Sequence, residues 1–349
     1  MQCTVAPFTS AALWNMVHKR AHYLEKAWRA GGATIRRLLC LATSRRYHVV
    51  YILREAFPFG PPLLELLLAT SVGRMVFDFD DAIYTGHSEP SSLPNPFLYR
   101  LKYARQTWRV IRRADRVIAG NRILADYARK YNDGVEIIPT AVDTNRFSYH
   151  EPAANRAPMV LGWMGSTSTS PYLGLLKNVF RELKSRFKER IRFAIYGDPG
   201  CEAPIEGMDI RPFRLETEIA DLRSIDIGLM PLPENDWTRG KCAFKAIQYM
   251  ALGIPAACSP VGVVNDLILD GENGLLCRTE AEWIEKLSLL IDSLQLRRSL
   301  AARARRKIEA EYSVNTWAPK LAEILEAVAL GLPANHNQRL EIVGHPGGR

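Results

Sequence analysis

The strongest constraint on how this chain can fold is an alternation that runs from about residue 47 to 330. Short apolar runs ("YHVVYIL", "RMVFDF", "DRVIAG", "VEIIPT", "MVLGWMG", "RFAIYG", "DIGLMPL" and "PAACSP") are separated by stretches of helical period. Each run is rich in β-branched or other apolar residues and stops at Gly, Pro, Asp, Thr or Leu. Runs of this kind read as strands buried on both faces, and strands joined through helices must be parallel. The pattern therefore predicts an α/β protein with doubly wound parallel sheets. A chain of 349 residues exceeds what one core usually organises. The polar, aperiodic stretch "YHEPAANRAP" (149–158) is the expected linker, which gives domains of 1–150 and 151–315. Residues 1–46 read as helical, so the first strand of the N-terminal domain is expected to be atypical or missing.

The net charge of +9 and pI of about 9.3 favour an anionic partner. Residues 100–130 hold ten Lys/Arg against two Asp, and a helix is predicted over 101–116 with Arg105, Arg109, Arg112 and Arg116 on one face. That face suits either plain solvation or an anionic membrane surface. Nucleic acid is not expected, because the aromatics alternate into the apolar face instead of forming a stacking platform. The six cysteines are scattered without zinc spacing, and buried thiols in a reducing compartment are expected. No apolar run reaches the roughly 20 residues of a spanning helix, and the N-terminus lacks the order of a signal peptide. The expected location is the cytoplasm, with peripheral contact at the inner face of the cell membrane.

"VFDFDDAIY" places Asp78, Asp80 and Asp81 at a strand end, where three carboxylates repel unless a cation or protonation relieves them. One reading resembles the haloacid-dehalogenase-like phosphatases, with Asp78 as nucleophile, Asp80 as acid/base and "YGDPGCE" as a distal acidic motif. The hydroxyl residue of that motif is Ala82 here, and a β/α unit precedes it. A second reading is a DxD metal site for a nucleotide-sugar.

The C-terminal half carries signals that neither reading needs. In "NDWTRGKCAFKAIQYMALGIPAACSPVGVVNDLILDGENGLL", one helix is predicted from near Arg239 or Gly240 to Gly253. On it Lys241, Lys245 and Gln248 form one polar stripe, while most of the remainder is apolar. Two lysines on a largely buried helix call for an anion. With Arg239 and the helix start they suit a diphosphate.

This segment resembles the donor-binding region of the retaining glycosyltransferases of family 4, which have the two-Rossmann-domain GT-B fold. "DFDDAIY", "ADRVIAGNRILADYA", "IIPTAVDTNRF" and "LGWMGSTSTSPYL" agree with it in order along the chain. The resemblance implies two Rossmann-like domains facing across a cleft. The sequence itself predicts a last helix over 316–332, expected to pack back on the N-terminal domain, and a disordered tail over 333–349. The resemblance further implies a nucleotide-diphosphate sugar on the C-terminal domain, a glycan or lipid-linked acceptor from the N-terminal domain, and no metal or other cofactor.

By the same resemblance, Gly165, Ser166, Thr167, Tyr196, Gly197, Arg239, Gln248, Val263 and Val264 bind the donor. Lys241 and Lys245 neutralise the leaving diphosphate. His87, Asp80, Asp81 and Asn121 face the acceptor side, with His87 in a catalytic role. Where the family often carries Glu-x7-Glu, this chain has Gly240 and Gln248. A non-catalytic descendant that binds a nucleotide or glycan is the third reading.

Overall fold

The computed structural model describes residues 2–8, 23–56, 62–71, 73–85, 106–154, 157–202 and 204–333. The first sheet is parallel throughout, with order β1 (Val50–Leu53), β2 (Met75–Phe79), β3 (Arg116–Ala119) and β4 (Val135–Ile137). Helices α1 (Tyr23–Thr43), α2 (Leu63–Ser71), α3 (Thr107–Arg113) and α4 (Arg122–Ala128) accompany it. Every residue of β3 is buried, including Arg116, whose guanidinium donates to the carbonyl of Leu332 at 3.0 Å. Arg116 therefore stands on a strand and not on the basic helix face expected for 101–116. Arg105 lies outside the described residues. Within the described residues this sheet winds in one direction only, from β1 outward to β4.

The second sheet has six parallel strands in the order β10-β9-β8-β5-β6-β7. They are β5 (Met159–Met164), β6 (Ile191–Tyr196), β7 (Asp209–Arg211), β8 (Ile227–Met230), β9 (Ala256–Cys258) and β10 (Leu275–Leu276). Read from β7, that is the third, second, first, fourth, fifth and sixth strand of the domain, the order of a doubly wound nucleotide-binding sheet. The chain reverses direction between β5 and β8, where such sheets leave a crevice at the strands' carboxyl ends. Strands β7 and β10 escape sequence reading because three and two residues are too short to show a period.

The connecting elements are α5 (Lys177–Phe187), α6 (Glu218–Arg223), α7 (Asp236–Arg239), α8 (Phe244–Leu252), α9 (Val264–Leu267), α10 (Glu280–Asp292) and α11 (Leu294–Glu311). One core forms where α8 and part of α11 cover a face of the second sheet. Another forms under α5 and α10 on the opposite face.

The chain then returns to the first sheet. Arg305 on α11 donates to the carbonyls of Phe147, Ala251 and Thr144, tying the outgoing and returning segments together. The Val314 amide donates to the Val142 carbonyl at 3.0 Å, and α12 (Val314–Ala329) packs Val328 against Val76 and Ile118. Leu321, Ile324 and Leu325 extend this contact. Residues 334–349, expected as a tail, lie outside the described residues.

Val328→Asp places a carboxylate in an apolar cluster without a partner. It is expected to cost about 3 kcal/mol or more, read as a lowered midpoint of thermal unfolding.

Candidate functional site

The loops after β5 and β6 meet at the carboxyl edge of the second sheet. The Gly165 amide donates to the Tyr196 carbonyl at 2.9 Å. Gly197 adopts φ +117, and a Cβ there would overlap the Gly165 carbonyl, so only glycine lets the two loops touch. Ser166 and Thr167 are exposed on the rim, with Ser166 Oγ 2.9 Å from Ser168 Oγ. Beneath them buried Ser170 donates to buried Asp198.

The expected single helix is broken in two. Asn235 and Thr238 form a capping box that starts α7. Ala243 then adopts left-handed φ 55, and α8 begins only at Phe244. Lys241 thus sits in the connection, not on a stripe with Lys245 and Gln248. The two lysines nevertheless flank one region. Lys245, in the first turn of α8, donates from Nζ to Thr169 Oγ1 at 3.3 Å and lies 5.3 Å from the centre of the Trp163 ring. Lys241 Nζ lies 4.9 Å from the Trp237 ring centre and 3.7 Å from Asp81 Oδ1 of the first domain. Burial, with the Lys241 charge adding to it, pushes the Lys245 ammonium down to about 8. A half-buried cation bonded to a neutral hydroxyl and repelled by a second cation is poised to receive an anion.

Other expected donor contacts are placed elsewhere. Gln248 is buried, and its amide donates to Glu218 Oε1 at 3.0 Å, while Glu218 also pairs with Arg146. Its side chain therefore does not open onto the crevice. The Tyr196 ring is fully buried, with its hydroxyl 2.6 Å from Ser224 Oγ, so a base has no access to it. Arg239 is half exposed and pairs with Glu234 at 3.0 Å and Asp236 at 3.7 Å. The side chains of Val263 and Val264 lie in the core, which leaves only their backbone for a ligand.

On the facing domain, the aspartate cluster is divided among three partners. Asp78 accepts from the Tyr51 hydroxyl. Asp80 pairs with Arg54 at 3.1 Å, and Asp81 is bound by both Arg54 and Lys241. Arg54 holds left-handed φ 62, an uncommon state for a side-chain-bearing residue. Burial pushes Asp78 up to about 6, with the Asp80 charge adding to it against the Tyr51 hydrogen bond. Burial likewise raises Asp80, opposed by Arg54.

Asn121 caps α4 by accepting from the Leu124 amide at 2.9 Å. Its Nδ2 donates across the seam to the Gly240 carbonyl at 2.9 Å and to Cys242 Sγ at 3.2 Å. It is a tether between domains and not an open acceptor contact. Gly240 abuts Ala82 so closely that a Cβ would meet the Ala82 methyl at 2.5 Å. His87 lies outside the described residues.

Sequence reading passes over Trp163, Thr169 and Glu218 as partners of the site, and Trp163 looks like core. Arg54 in "ILREAFP", which reads as a cleft-lining or ion-pairing residue, forms ion pairs with Asp80 and Asp81.

Residues 158–293 match the family described as glycosyl transferases group 1. No curated protein sequence matches the chain. Solved structures do. HepE of Anabaena, in complex with UDP and glucose, superposes with a TM-score of 0.62 at 15% identity, over 84% of this chain and 82% of that one. Sucrose-phosphate synthase of Thermosynechococcus elongatus gives 0.65 at 13% identity, over 89% and 82%. A TarM variant of S. aureus, in complex with Fondaparinux, alpha-GlcNAc-glycerol and UDP, gives 0.59 at 14%, over 83% of this chain and 59% of that one. The protein has the GT-B fold, two parallel α/β domains with a crevice between them.

A diphosphate seated on Lys245 would raise its pKa, so its affinity would be constant below the free value of about 8 and would fall as pH rises through it. With UDP as the diphosphate probe, affinity by calorimetry is expected to drop about tenfold from pH 7 to pH 9 in the native protein and to stay level in Lys245→Met. The raised Asp78 pKa means that the folded state holds an extra proton between the ordinary carboxylate value and about 6, so this group costs stability above that window. Asp78→Asn should raise the unfolding midpoint at pH 7.5 by about 2–4 °C and have less effect at pH 4.

Proposed function

We propose that this protein is a retaining glycosyltransferase of family 4 type. It moves a sugar from a nucleotide-diphosphate donor to a glycan or lipid-linked acceptor without a metal ion, at the cytoplasmic face of a membrane. The observation that carries the reading is Lys245 set against the loop after β5, with the charge of Lys241 acting on it, beside the switch crevice of a doubly wound sheet.

In this reading the donor diphosphate lies against the amides of Ser166 and Thr167, which Gly165 lets it approach, and the first turn of α8, whose leading N–H groups have no intrahelical partners. Lys245 and Lys241 take up the charge that develops on the departing phosphate. Lys241 is held by Asp81 when no donor is present, and the diphosphate replaces that carboxylate. The acceptor hydroxyl approaches from the side of Asp80, Asp81 and the loop bearing His87. The leaving phosphate takes its proton on the same face, so the anomeric configuration is kept. HepE has been solved in complex with UDP-glucose, which supports a uridine nucleotide as the first donor class to try.

The phosphatase reading finds little support. Asp78 is engaged by Tyr51, Asp80 and Asp81 by cations, and Asp198 of the supposed distal motif follows β6 in the other sheet.

The test is thermal stabilisation by UDP-, GDP-, ADP- and CMP-sugars, each with and without EDTA. One class is expected to stabilise equally in both conditions. Stabilisation that EDTA abolishes would sink the metal-free reading. Lys245→Ala should weaken that donor about 10- to 100-fold, the range for losing a charge-assisted contact. Stabilisation without turnover on any acceptor would favour the non-catalytic binder, a reading consistent with Gly240 and Gln248 in place of the two glutamates.

A further inference from the structure

Helix α1 is built inside out. Its 21 residues include Leu24, Trp28, Ile35, Leu38 and Leu39, which fall within an arc of roughly 100° on a helical wheel. An arc of that width normally faces a core. Here those side chains are 89%, 76%, 61%, 52% and 62% exposed. The helix instead seats its opposite, small-residue side: Ala33 is 2% exposed, and Leu41 packs against the core of the first sheet. Ala6 and Pro7 line a cleft with Ala33, Arg36, Arg37 and Cys40, so that part of the preceding chain also lies away from the exposed stripe.

The charge of this segment is nearly all of one sign. Residues 23–46 contain Lys26, Arg29, Arg36, Arg37, Arg45 and Arg46 against Glu25 alone, and Glu25 is paired with Arg29 at 2.8 Å. Arg36, Arg45 and Arg46 are exposed. An exposed apolar stripe with a tryptophan, edged by arginines, is the composition of a helix that lies in the plane of a bilayer. No helix among the described residues is long and apolar enough to cross one.

We propose that α1 docks this protein onto an anionic lipid surface. Leu24, Trp28, Ile35, Leu38 and Leu39 enter the headgroup–acyl boundary, and Arg36, Arg45 and Arg46 meet lipid phosphates. A second copy of the chain offers the same positive rim to itself, so the charge pattern argues against self-association through this face. The inference deepens the membrane-facing part of the proposed function and adds α1 to the basic 100–130 segment. In that segment Arg116 is buried, Arg122 pairs with Asp266 of the second domain and Arg129 pairs with Asp126, while Arg109, Arg112 and Arg113 are exposed.

The test is co-sedimentation of the full chain with phosphatidylcholine vesicles, with and without phosphatidylglycerol. The bound fraction is expected to be about tenfold higher on the anionic vesicles and to fall with added salt. Ile35→Asp/Leu38→Asp should abolish binding, and Arg36→Glu/Arg45→Glu should reduce it about tenfold or more, since each reversal removes one attraction and adds a repulsion. These side chains are exposed, so unfolding midpoints and nucleotide-induced stabilisation should not change. Equal binding to neutral vesicles, no binding to either, or full binding by the aspartate variant each overturns the proposal. So does a dimer in sedimentation velocity that the aspartate variant dissociates, which assigns the stripe to a second copy. Lost vesicle binding with intact nucleotide stabilisation removes α1 as an anchor and leaves the transferase reading standing. Intact vesicle binding with no nucleotide response does the reverse.

Discussion

The site depends on a seam in which the connection from Gly240 to Ala243 is pressed between the two sheets. Asn121 spends its oxygen on capping α4 and its amide on the Gly240 carbonyl, so the start of one domain's helix is bonded to the path of the other domain's loop. Gly240 against Ala82 leaves no room for a side chain at that point. The chain can thread this gap only by kinking, and the left-handed turn at Ala243 is where it does so. That kink detaches Lys241 from the helix and aims it at Asp81, while Lys245 stays in the first turn of α8 beside Thr169. One packing constraint thereby sets the position of both cations.

The charges around the seam balance in a way that suits exchange. Asp81 lies between Arg54 and Lys241, whereas half-buried Lys245 bonds a neutral hydroxyl. The acidic cluster of β2 thus serves as counter-charge for cations of the crevice in this arrangement. Its three carboxylates are relieved by a tyrosine, an arginine and a lysine, which is how repulsion read from the sequence is answered in the fold.

All eight strand-like runs in the sequence became strands, and most of them are buried along most of their length, where a segment must be apolar whatever it packs against. The two strands that were missed, β7 and β10, are the edge strands of the second sheet. Near the crevice, Lys245, Gly165 and Gly197 stood out in the sequence because a lysine in an apolar helix and a glycine at a strand end are costly without a purpose. Tyr196 and Gln248 were misplaced for the same reason in reverse. A polar or aromatic residue next to a loop looks available to a ligand, and only the packed structure shows that Ser224 and Glu218 already occupy them.

By itself the sequence determined the class of fold, the parallel sense of both sheets and the presence of cations where a nucleotide-binding sheet has its crevice. These follow from local periodicity and from the cost of burying charge, which act over a few residues at a time. Tertiary structure alone decided that one expected helix is two and that the aspartates bind arginine, tyrosine and lysine. It alone decided that α1 turns its apolar stripe outward. Those outcomes depend on which surfaces meet between residues far apart in the chain, 27 positions for Tyr51 and Asp78 and 119 for Asn121 and Gly240, and no local pattern carries that information.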